Sequence, residues 1–313
     1  MLFSSLKLLQ KAQRHGYAVP AFNVNNLEIL QGVLSGAVQM KSPVIVQTSG
    51  GAIEYAGMME LGALVHIMAK KVKIPVALHL DHGKDIGLVT RAIKSGFYHS
   101  VMYDGSHLAF KKNIETTRTI VNLARKHGVA VEAELGSILG KEDLIKVHER
   151  DVFFTDTEQA EEFVKKTGCD SLAISIGTAH GINKFEGESR LDFKRLKALR
   201  SRVSLPLVLH GASSVPSFLL KQYDLYTRIL HDEGRFRHAK GVAEQHIKKA
   251  IRLGICKVNV DTDLRVAFLV AIREKMVTDH EVFDPRELLK PARDLIAKTV
   301  MKKIQLFGSA NKI

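Results

Sequence analysis

The chain has 313 residues, of which 45% are hydrophobic and 25% charged, and its formal net charge is +13. This composition is typical of a globular protein and argues against a disordered or fibrous class. No apolar run approaches the ~20 residues that a membrane-spanning helix needs. The two cysteines, Cys169 and Cys256, lie in unlike contexts and indicate neither a disulfide framework nor a CxxC zinc pair. Because the N-terminus also lacks the features of a secretory signal, we expect a cytoplasmic protein.

The positive charge favours an anionic partner without identifying it. Most basic residues occur in short clusters, such as Lys111 and Lys112, on segments with a helical pattern, where lysine usually forms a solvated face. The sequence contains no RNP-like aromatic pattern, zinc finger or arginine-rich arm. A small anionic substrate and non-specific nucleic-acid binding are therefore both compatible with the charge.

In chain order, the sequence begins with a short amphipathic helix that carries Leu2, Leu6 and Leu9 at helical spacing. Eight short apolar segments then predict β-strands, at residues 17–24, 44–49, 76–82, 100–105, 129–136, 171–177, 207–210 and 256–262. Helical patterns separate them, at 25–40, 58–71, 86–95, 113–127, 158–167, 191–202 and up to 253, and two more follow at 264–276 and 287–307. Residues 137–156 have no strong periodicity, and an insertion at about 214–245 belongs to no simple unit.

Strands that alternate with helices pair in parallel through right-handed crossovers. Eight such units predict an α/β fold, the (β/α)8 TIM barrel with additional terminal helices. We expect one domain over residues 1–313, with the insertion at about 214–245 and C-terminal helices from about 264. An open doubly wound sheet is the competing architecture, but no strand-to-helix turn carries a GxGxxG or Walker loop.

Nearly every predicted strand has a polar residue at its C-terminal end. In a barrel these ends converge in one mouth, where active sites lie, whereas packing alone gives no reason to place carboxylates and imidazoles there. The residues concerned are Asn23, Ser49, Asp81, His82, Asp104, Glu134, His180, His210 and the run from Asn259 to Asp263.

The segment PVALHLDHG, residues 75–83, is the most informative of these strand ends. Burying an ionised carboxylate beside two imidazoles is expensive unless a metal, a hydrogen-bond network or a substrate compensates. Strict alternation places His79 and Asp81 on one side and His82 on the other. We therefore expect the backbone to leave strand geometry here, with Gly83 permitting the turn. The alternative is a pair of core histidines and a helix-capping aspartate.

His82, His180 and His210, at three separate strand ends, offer imidazole ligands for a first-row metal. Zinc is the first candidate, because catalytic zinc sites use such ligands and leave one position open for substrate. Each of the three precedes a glycine, whose unencumbered N–H suits the close approach of a phosphate or an oxyanion. The alternative is that one of the three only makes hydrogen bonds in the core.

Six motifs, in their order and spacing, resemble the class II, metal-dependent fructose-bisphosphate aldolases: HLDHG, VMYDGS, EAELG, IGTAHG, LVLHGAS and KVNVDTD. The resemblance covers nearly the whole chain, including FDPRELLKPAR and the closing LFGSANK. The insertion after His210 is similar to that of the branch with a longer loop. The resemblance implies a catalytic Zn²⁺, a second divalent or monovalent cation, and a homodimer or homotetramer.

The same resemblance implies roles for individual residues. The implied zinc ligands are His82, His180 and His210, and the implied ligands of a second cation are Asp104 and Glu134. The implied acid/base at the cleaved bond is Asp81, and the mobile carboxylate that moves the proton beside the ketone is Glu142. Asn259 is suited to donate a hydrogen bond to a developing oxyanion. The implied substrate-binding residues are Ser49, Gly181, Gly211, Ala212, Ser213, Asn259, Val260, Asp261, Thr262 and Arg286, the last reaching a neighbouring subunit's substrate phosphate.

The implied reaction is the reversible aldol cleavage of fructose 1,6-bisphosphate to dihydroxyacetone phosphate and glyceraldehyde 3-phosphate, a step of glycolysis and gluconeogenesis. A metal stabilises the resulting enediolate charge as a Lewis acid, so no Schiff-base lysine is required. The acidic residue at position 261 goes with fructose rather than tagatose preference in this family. The alternatives are a tagatose-bisphosphate or related phosphoketose aldolase, a metal-dependent hydrolase on the same barrel, and a non-catalytic basic barrel that binds nucleic acid.

Overall fold

The computed structural model describes residues 1–136, 139–142, 145–147, 154–180, 191–229 and 241–313, with the backbone alone at 139–142, 145–147, 179 and 180. The strands in these ranges are β1 (Val19–Asn23), β2 (Val44–Thr48), β3 (Val76–Gly83), β4 (Ser100–Tyr103), β5 (Ala130–Leu135), β6 (Leu139–Glu142), β7 (Ile145–Val147), β8 (Ser171–Ile174), β9 (Ala179–His180), β10 (Leu207–Leu209) and β11 (Ile255–Val260).

The helices in the same ranges are α1 (Ser5–His15), α2 (Leu27–Gln39), α3 (Gly50–Ala56), α4 (Met58–Lys70), α5 (Ile86–Lys94), α6 (Phe110–Lys126), α7 (Thr157–Thr167), α8 (Phe193–Arg202), α9 (Ser217–Ile229), α10 (Glu244–Arg252), α11 (Thr262–Thr278) and α12 (Pro285–Phe307). Within this part of the chain, each helix is too short or too polar to cross a bilayer.

Eight of the strands pair in parallel and close into a barrel, in the order β1-β11-β10-β8-β5-β4-β3-β2. The prediction of a (β/α)8 barrel is therefore confirmed. Its strands are rich in Val, Ile, Leu and Ala because a parallel strand in a barrel is covered on both faces. The outward residues of β3, such as Leu78 and Leu80, belong to the main core under the helices, while Ala77, His79 and Asp81 alternate with them and face inward.

The first helix closes the lower end of the barrel. It begins at Ser5, one residue after the N-cap Ser4, and buries Leu8, Leu9 and Ala12 against the first residues of the barrel strands. Leu2, which the sequence pattern places on this helix, instead lies before it in a parallel bridge to Val76. This end of the barrel is consequently sealed by apolar side chains, and the polar strand ends lie opposite.

Two helices, α3 and α9, and three short strands, β6, β7 and β9, fall where the sequence pattern predicts no regular structure. Helix α3 follows β2 directly, because Ser49 caps it by accepting a hydrogen bond from the Ala52 N–H at 3.2 Å, and Gly50 and Gly51 form its first two positions. Helix α9 occupies part of the insertion. In the polar stretch after β5, β6 and β7 form an antiparallel hairpin, and β6 also pairs with β9.

The last helix packs closely on α2 through two glycines. A Cβ at Gly32 would lie 2.6 Å from Ile296 Cγ2, and one at Gly36 would lie 2.7 Å from the Ala297 carbonyl oxygen. Such distances leave no room for a side chain, so glycine permits the two helices to approach each other. This contact holds α12 against α2, one of the helices that surround the barrel.

Candidate active site

The C-terminal ends of the barrel strands converge in a mouth lined by buried polar side chains. In a purely apolar interior each of these groups would lose its hydration without compensation. They are Asn23, Gln47, Asp81, Asp104, Glu134, His210 and Asn259, together with the partly exposed His82.

The end of β3 departs from regular strand geometry at His82. This residue has φ 48°, in the left-handed region, and the pairing with β4 shifts register between Leu80 and Gly83. The predicted departure is therefore present, but His82 rather than Gly83 supplies the unusual dihedral. Gly83 is needed for space, because a Cβ there would lie 2.6 Å from the Met102 carbonyl oxygen. The irregularity brings His82 to the same side as Asp81, and such strain is typical of functional sites.

The carboxylate of Asp81 is held by two amide side chains. Asn23 Nδ2 donates to Oδ2 at 2.9 Å, and Asn259 Nδ2 donates to Oδ1 at 3.0 Å. Gln47 Nε2 in turn donates to Asn23 Oδ1 at 2.8 Å. Neither amide neutralises the charge, so these contacts fix the orientation of a carboxylate that can accept a proton in the mouth.

Among the side chains that the structure describes, two overlapping groups could hold a cation, and His82 belongs to both. The first group is Asp81, His82 and His210, the second is His82, Asp104 and Glu134, and within each the ligand atoms lie within 4.8 Å of one another. His82 Nε2 is 2.8 Å from His210 Nδ1, while His82 Nδ1 is 3.8 Å from Asp104 Oδ2 and 4.0 Å from Glu134 Oε2. Imidazole and carboxylate donors suit a first-row divalent metal such as zinc.

The electrostatics of the second group also favour a bound cation. Burial raises the pKa of the Glu134 carboxyl well above its usual range, and the nearby Asp104 carboxylate raises it further. Burial opposes ionisation of Asp104 too, but the hydrogen bond and charge of His82, together with Lys84, hold the pKa of Asp104 well below its usual range. Glu134 Oε2 is buried without a hydrogen-bond partner among the described residues. A metal ion would supply that partner and offset the repulsion between the carboxylates.

A charged layer that sequence reasoning missed lies directly beneath the mouth. Lys257 and Glu132 are 1% and 2% exposed, and Lys257 Nζ lies 2.9 Å from Glu132 Oε2. Glu132 Oε1 is 2.8 Å from His210 Nε2. Burial would raise the pKa of Glu132, but the Lys257 charge and the His210 hydrogen bond hold it well below its usual range. An ionised carboxylate only accepts hydrogen bonds, so His210 Nε2 carries the proton and Nδ1 faces His82 as a potential ligand.

His79 belongs to this lower layer and not to the mouth. Its Nδ1 lies 2.7 Å from Ser100 Oγ, and its Nε2 lies 3.4 Å from Lys257 Nζ. Burial and the Lys257 charge lower the pKa of His79 to about 3, so the ring is neutral. The sequence signal for this layer was the alternation of side chains along a strand. Residues two apart face the same side, so Glu132 lies one layer below Glu134 and Lys257 one layer below Asn259.

Some of the remaining predicted site residues lie in the mouth, and others do not. Ser49 and Ser213 are buried there, while Gly211 has φ 61° in the loop after β10. Asp261 pairs with Arg265, whose Nη2 is 2.8 Å from its Oδ2. Arg286 is not drawn into the mouth, since its side chain is 90% exposed and pairs with Asp284. Of the other predicted residues, Ala212 lies in the loop after β10, Val260 is the last residue of β11 and is buried in the main core, and Thr262 begins α11.

Three predicted site residues fall wholly or partly outside the described structure. Gly181 lies outside the described residues. The backbones of Glu142 and His180 are described at the ends of β6 and β9, but their side chains are not. The register of the small sheet places Gly140 opposite His180, so the segments that carry Glu142 and His180 run side by side.

A parallel barrel with polar groups at its C-terminal mouth is typical of an enzyme, and the histidines and carboxylates grouped there are suited to hold a cation. The family profile described as fructose-bisphosphate aldolase class-II matches residues 4–312. A fructose-bisphosphate aldolase from Thermus caldophilus is 43% identical over 312 residues, and one from Helicobacter pylori is 42% identical over 314, each alignment covering 100% of both chains. Among solved structures, the YdjI aldolase from Escherichia coli is similar with a TM-score of 0.79 and 33% identity, over 100% of this chain and 99% of that chain.

The chain therefore belongs to the class II fructose-bisphosphate aldolase family, and it is an aldolase. The resemblance drawn from the six sequence motifs is confirmed over the whole chain. The family is generally metal-dependent, in agreement with the donor groups around His82.

The charged layer beneath the mouth generates a test. We expect Glu132→Gln to weaken binding of Zn²⁺ by about 10- to 100-fold, because His210 loses the carboxylate that orients its ring. The measurement is a titration of the metal-free protein in competition with a chromophoric chelator. Glu115→Gln, at a glutamate of α6 whose side chain is 61% exposed, is the control and should leave the affinity unchanged. Equal affinities in both variants would contradict the role assigned to Glu132.

Proposed function

We propose that this chain catalyses the reversible cleavage of fructose 1,6-bisphosphate to dihydroxyacetone phosphate and glyceraldehyde 3-phosphate with a divalent metal, zinc being the first candidate. The observation that carries the proposal is the grouping of Asp81, His82 and His210 at the mouth of a barrel whose chain matches the family from residue 4 to residue 312. Curated relatives at 42% and 43% identity are named for the fructose substrate, which favours it over the tagatose epimer.

His82, His180 and His210 would hold the catalytic metal, and Asp104 and Glu134 a second cation. When bound, the metal supplies Lewis-acid polarisation of the ketone and stabilises the negative charge that cleavage leaves behind. Glu132 and Lys257 keep His210 oriented toward this site. Support for the second cation comes from the buried and mutually repelling carboxylates of Asp104 and Glu134.

Asp81 would take the proton from the hydroxyl at the bond that breaks and return it in condensation. Its position is suited to this step, because Asn23 and Asn259 hold both oxygens by hydrogen bonds without supplying a counter-charge. The Asn259 amide has a second N–H, which can donate to the developing oxyanion. Positioned proton transfer of this kind is typically worth about 10²–10⁴ in rate.

Further residues complete the proposed site. Glu142 would move the proton beside the ketone from the segment around β6. The backbone N–H groups after His180 and His210, at Gly181 and Gly211, would receive substrate phosphate or oxyanion. The proposed substrate contacts are Ser49, Gly181, Gly211, Ala212, Ser213, Asn259, Val260, Asp261, Thr262 and, from a neighbouring subunit, Arg286. The exposed guanidinium of Arg286 is accessible to a neighbouring subunit, which supports that assignment. We further propose a cytoplasmic homodimer or homotetramer that acts in glycolysis or gluconeogenesis.

Removal of metal tests the proposed function directly. Cleavage of fructose 1,6-bisphosphate, followed in a coupled assay, should fall to background after EDTA treatment and desalting, and should return when Zn²⁺ is added. Undiminished cleavage by the metal-free protein would refute the proposal. If no cleavage occurs with or without metal, and nucleic acid binds with steep salt dependence, the chain is instead a non-catalytic basic barrel.

The proton-transfer step is tested at Asp81. We expect Asp81→Asn to lower kcat by about 10²–10⁴, because an amide cannot take the hydroxyl proton. The metal content of the purified variant should be measured alongside, since Asp81 lies among the potential ligands. The matched control is Asp85→Asn in the loop after β3, where asparagine caps α5 as well as aspartate does and kcat should stay at the wild-type value. A wild-type kcat in Asp81→Asn would remove this residue from the mechanism.

Substrate preference is tested by comparing kcat/KM on fructose and tagatose 1,6-bisphosphates. Asp261→Ala should shift the ratio toward tagatose, because the acidic side chain near the mouth is lost. Arg265→Ala removes the partner of Asp261 but keeps the carboxylate, and should retain fructose preference. An unchanged ratio in Asp261→Ala would show that another residue distinguishes the C4 epimers.

A further inference from the structure

Lys303 is a lysine of the last helix, yet it is only 3% exposed. A lysine of an amphipathic surface helix normally keeps its ammonium group in water, since burying an unpaired charge is expensive. Its neighbour Lys302 shows the normal behaviour, being exposed and placed 4.1 Å above the ring of Phe218. The burial of Lys303 therefore requires specific partners.

The first partner is Asp263, in the first turn of α11. Its carboxylate is fully buried, at 0% exposure, and its Oδ1 lies 2.6 Å from Lys303 Nζ. Asp263 follows β11 by three residues and comes directly after Asn259, Asp261 and Thr262 of the mouth. The ion pair consequently ties α12 to the loop that leaves β11.

The second partner belongs to a different loop. Lys303 Nζ also donates to the Ser214 carbonyl oxygen at 2.7 Å, next to the mouth residues Gly211 and Ser213 that follow β10. An ammonium group has three N–H donors and no acceptor, so one Lys303 side chain can bind both groups at once. Because β10 and β11 are neighbours in the barrel, Lys303 connects two adjacent loops of the mouth.

The loop after β10 is also covered from its other side. The Val242 N–H donates to the Ser213 carbonyl oxygen at 3.1 Å, and a Cβ on Gly241 would lie 2.3 Å from that same oxygen. Glycine at 241 therefore permits a direct backbone contact. The segment from Ser213 to Ser214 is thus held between the chain at 241–242 and the ammonium group of Lys303.

We propose that Lys303 is a positioning residue, which fixes the loop after β10 relative to the loop after β11 and so sets the spacing of the groups that bind a substrate phosphate. A buried ion pair seldom stabilises a fold more than apolar packing of the same volume would. One lysine side chain can bind groups from two loops at once, which an apolar pair of the same volume could not do. This connection explains why a charged residue is buried here. The phosphate ligand in this inference rests on the proposed function, whereas the contacts of Lys303 do not.

The test separates stability from positioning with three variants. Lys303→Met leaves Asp263 charged and unpaired, and should lower the Tm most. Lys303→Met/Asp263→Asn removes both charges, so its Tm should recover toward wild type while the tie to Ser214 stays broken. Lys302→Met removes an exposed lysine one position away in the same helix and should match the wild type throughout.

In the double variant we expect KM for fructose 1,6-bisphosphate to rise by about 10- to 100-fold, with a much smaller change in kcat, because misplaced binding groups weaken capture of the substrate. The affinity for inorganic phosphate, measured by calorimetry, should fall with it. Backbone amides of residues 211–215 and 260–264 should exchange hydrogen faster than in Lys302→Met.

Wild-type KM and phosphate affinity in a double variant whose Tm has recovered would overturn the inference and leave Lys303 a structural residue. If the wild type binds phosphate but cleaves no sugar bisphosphate, the proposed function fails. The phosphate affinities of the variants then still test the positioning role of Lys303. A wild type that neither cleaves the sugar nor binds phosphate would overturn both.

Discussion

The contact among Lys257, Glu132 and His210 is the interaction on which the mouth of this barrel depends. Closure of eight parallel strands removes their inward side chains from water, so a carboxylate there must be compensated by a charge or by hydrogen bonds. Lys257 provides the charge, with its ammonium 2.9 Å from Glu132 Oε2. Glu132 then accepts a hydrogen bond from the His210 Nε2–H, which leaves His210 Nδ1 directed toward His82. A neutral imidazole in a fixed tautomer is the form that binds a metal.

Above this layer, the mouth contains two kinds of carboxyl group with opposite requirements. One kind lies beside other ligand atoms that suit a cation, and the other is held by neutral amides. Asp104 and Glu134 place two buried carboxyl groups beside His82, where a cation could bind, and the pKa of Glu134 is raised by burial and by its neighbour Asp104. Asp81 lies beside them but is held by amides rather than by charges. The donor groups suited to a cation and the amide-bound carboxylate of Asp81 therefore lie in the same small space. The left-handed backbone of His82 allows both, because it turns two consecutive residues of β3 toward one site.

Much of this arrangement could be predicted from strand patterns. The apolar segments located all eight barrel strands, and the polar residues at their ends located the mouth, since the ends of parallel strands necessarily meet. Reasoning from the sequence missed α3 because two glycines are poor helix formers, whereas Ser49 caps a helix that begins with them. It also treated the insertion as irregular, although α9 lies within it. Both errors concern short helices whose sequence signal is weak. Such helices are stabilised mainly by packing of one face against neighbouring elements, which the local sequence does not show.

The sequence by itself determined the fold class and the family, and it predicted that polar side chains gather at the mouth, because strand period and motif order are properties of the chain read one residue after another. Only the tertiary structure decided which charged side chains contact each other. Glu132 and Lys257 are 125 positions apart, and Lys303 reaches Ser214 across 89. Each looks like an ordinary charged residue in its own segment, since burial and partner are set by barrel closure and helix packing. That is also why the left-handed turn belongs to His82, where the shift against β4 places it, and not to the glycine that follows.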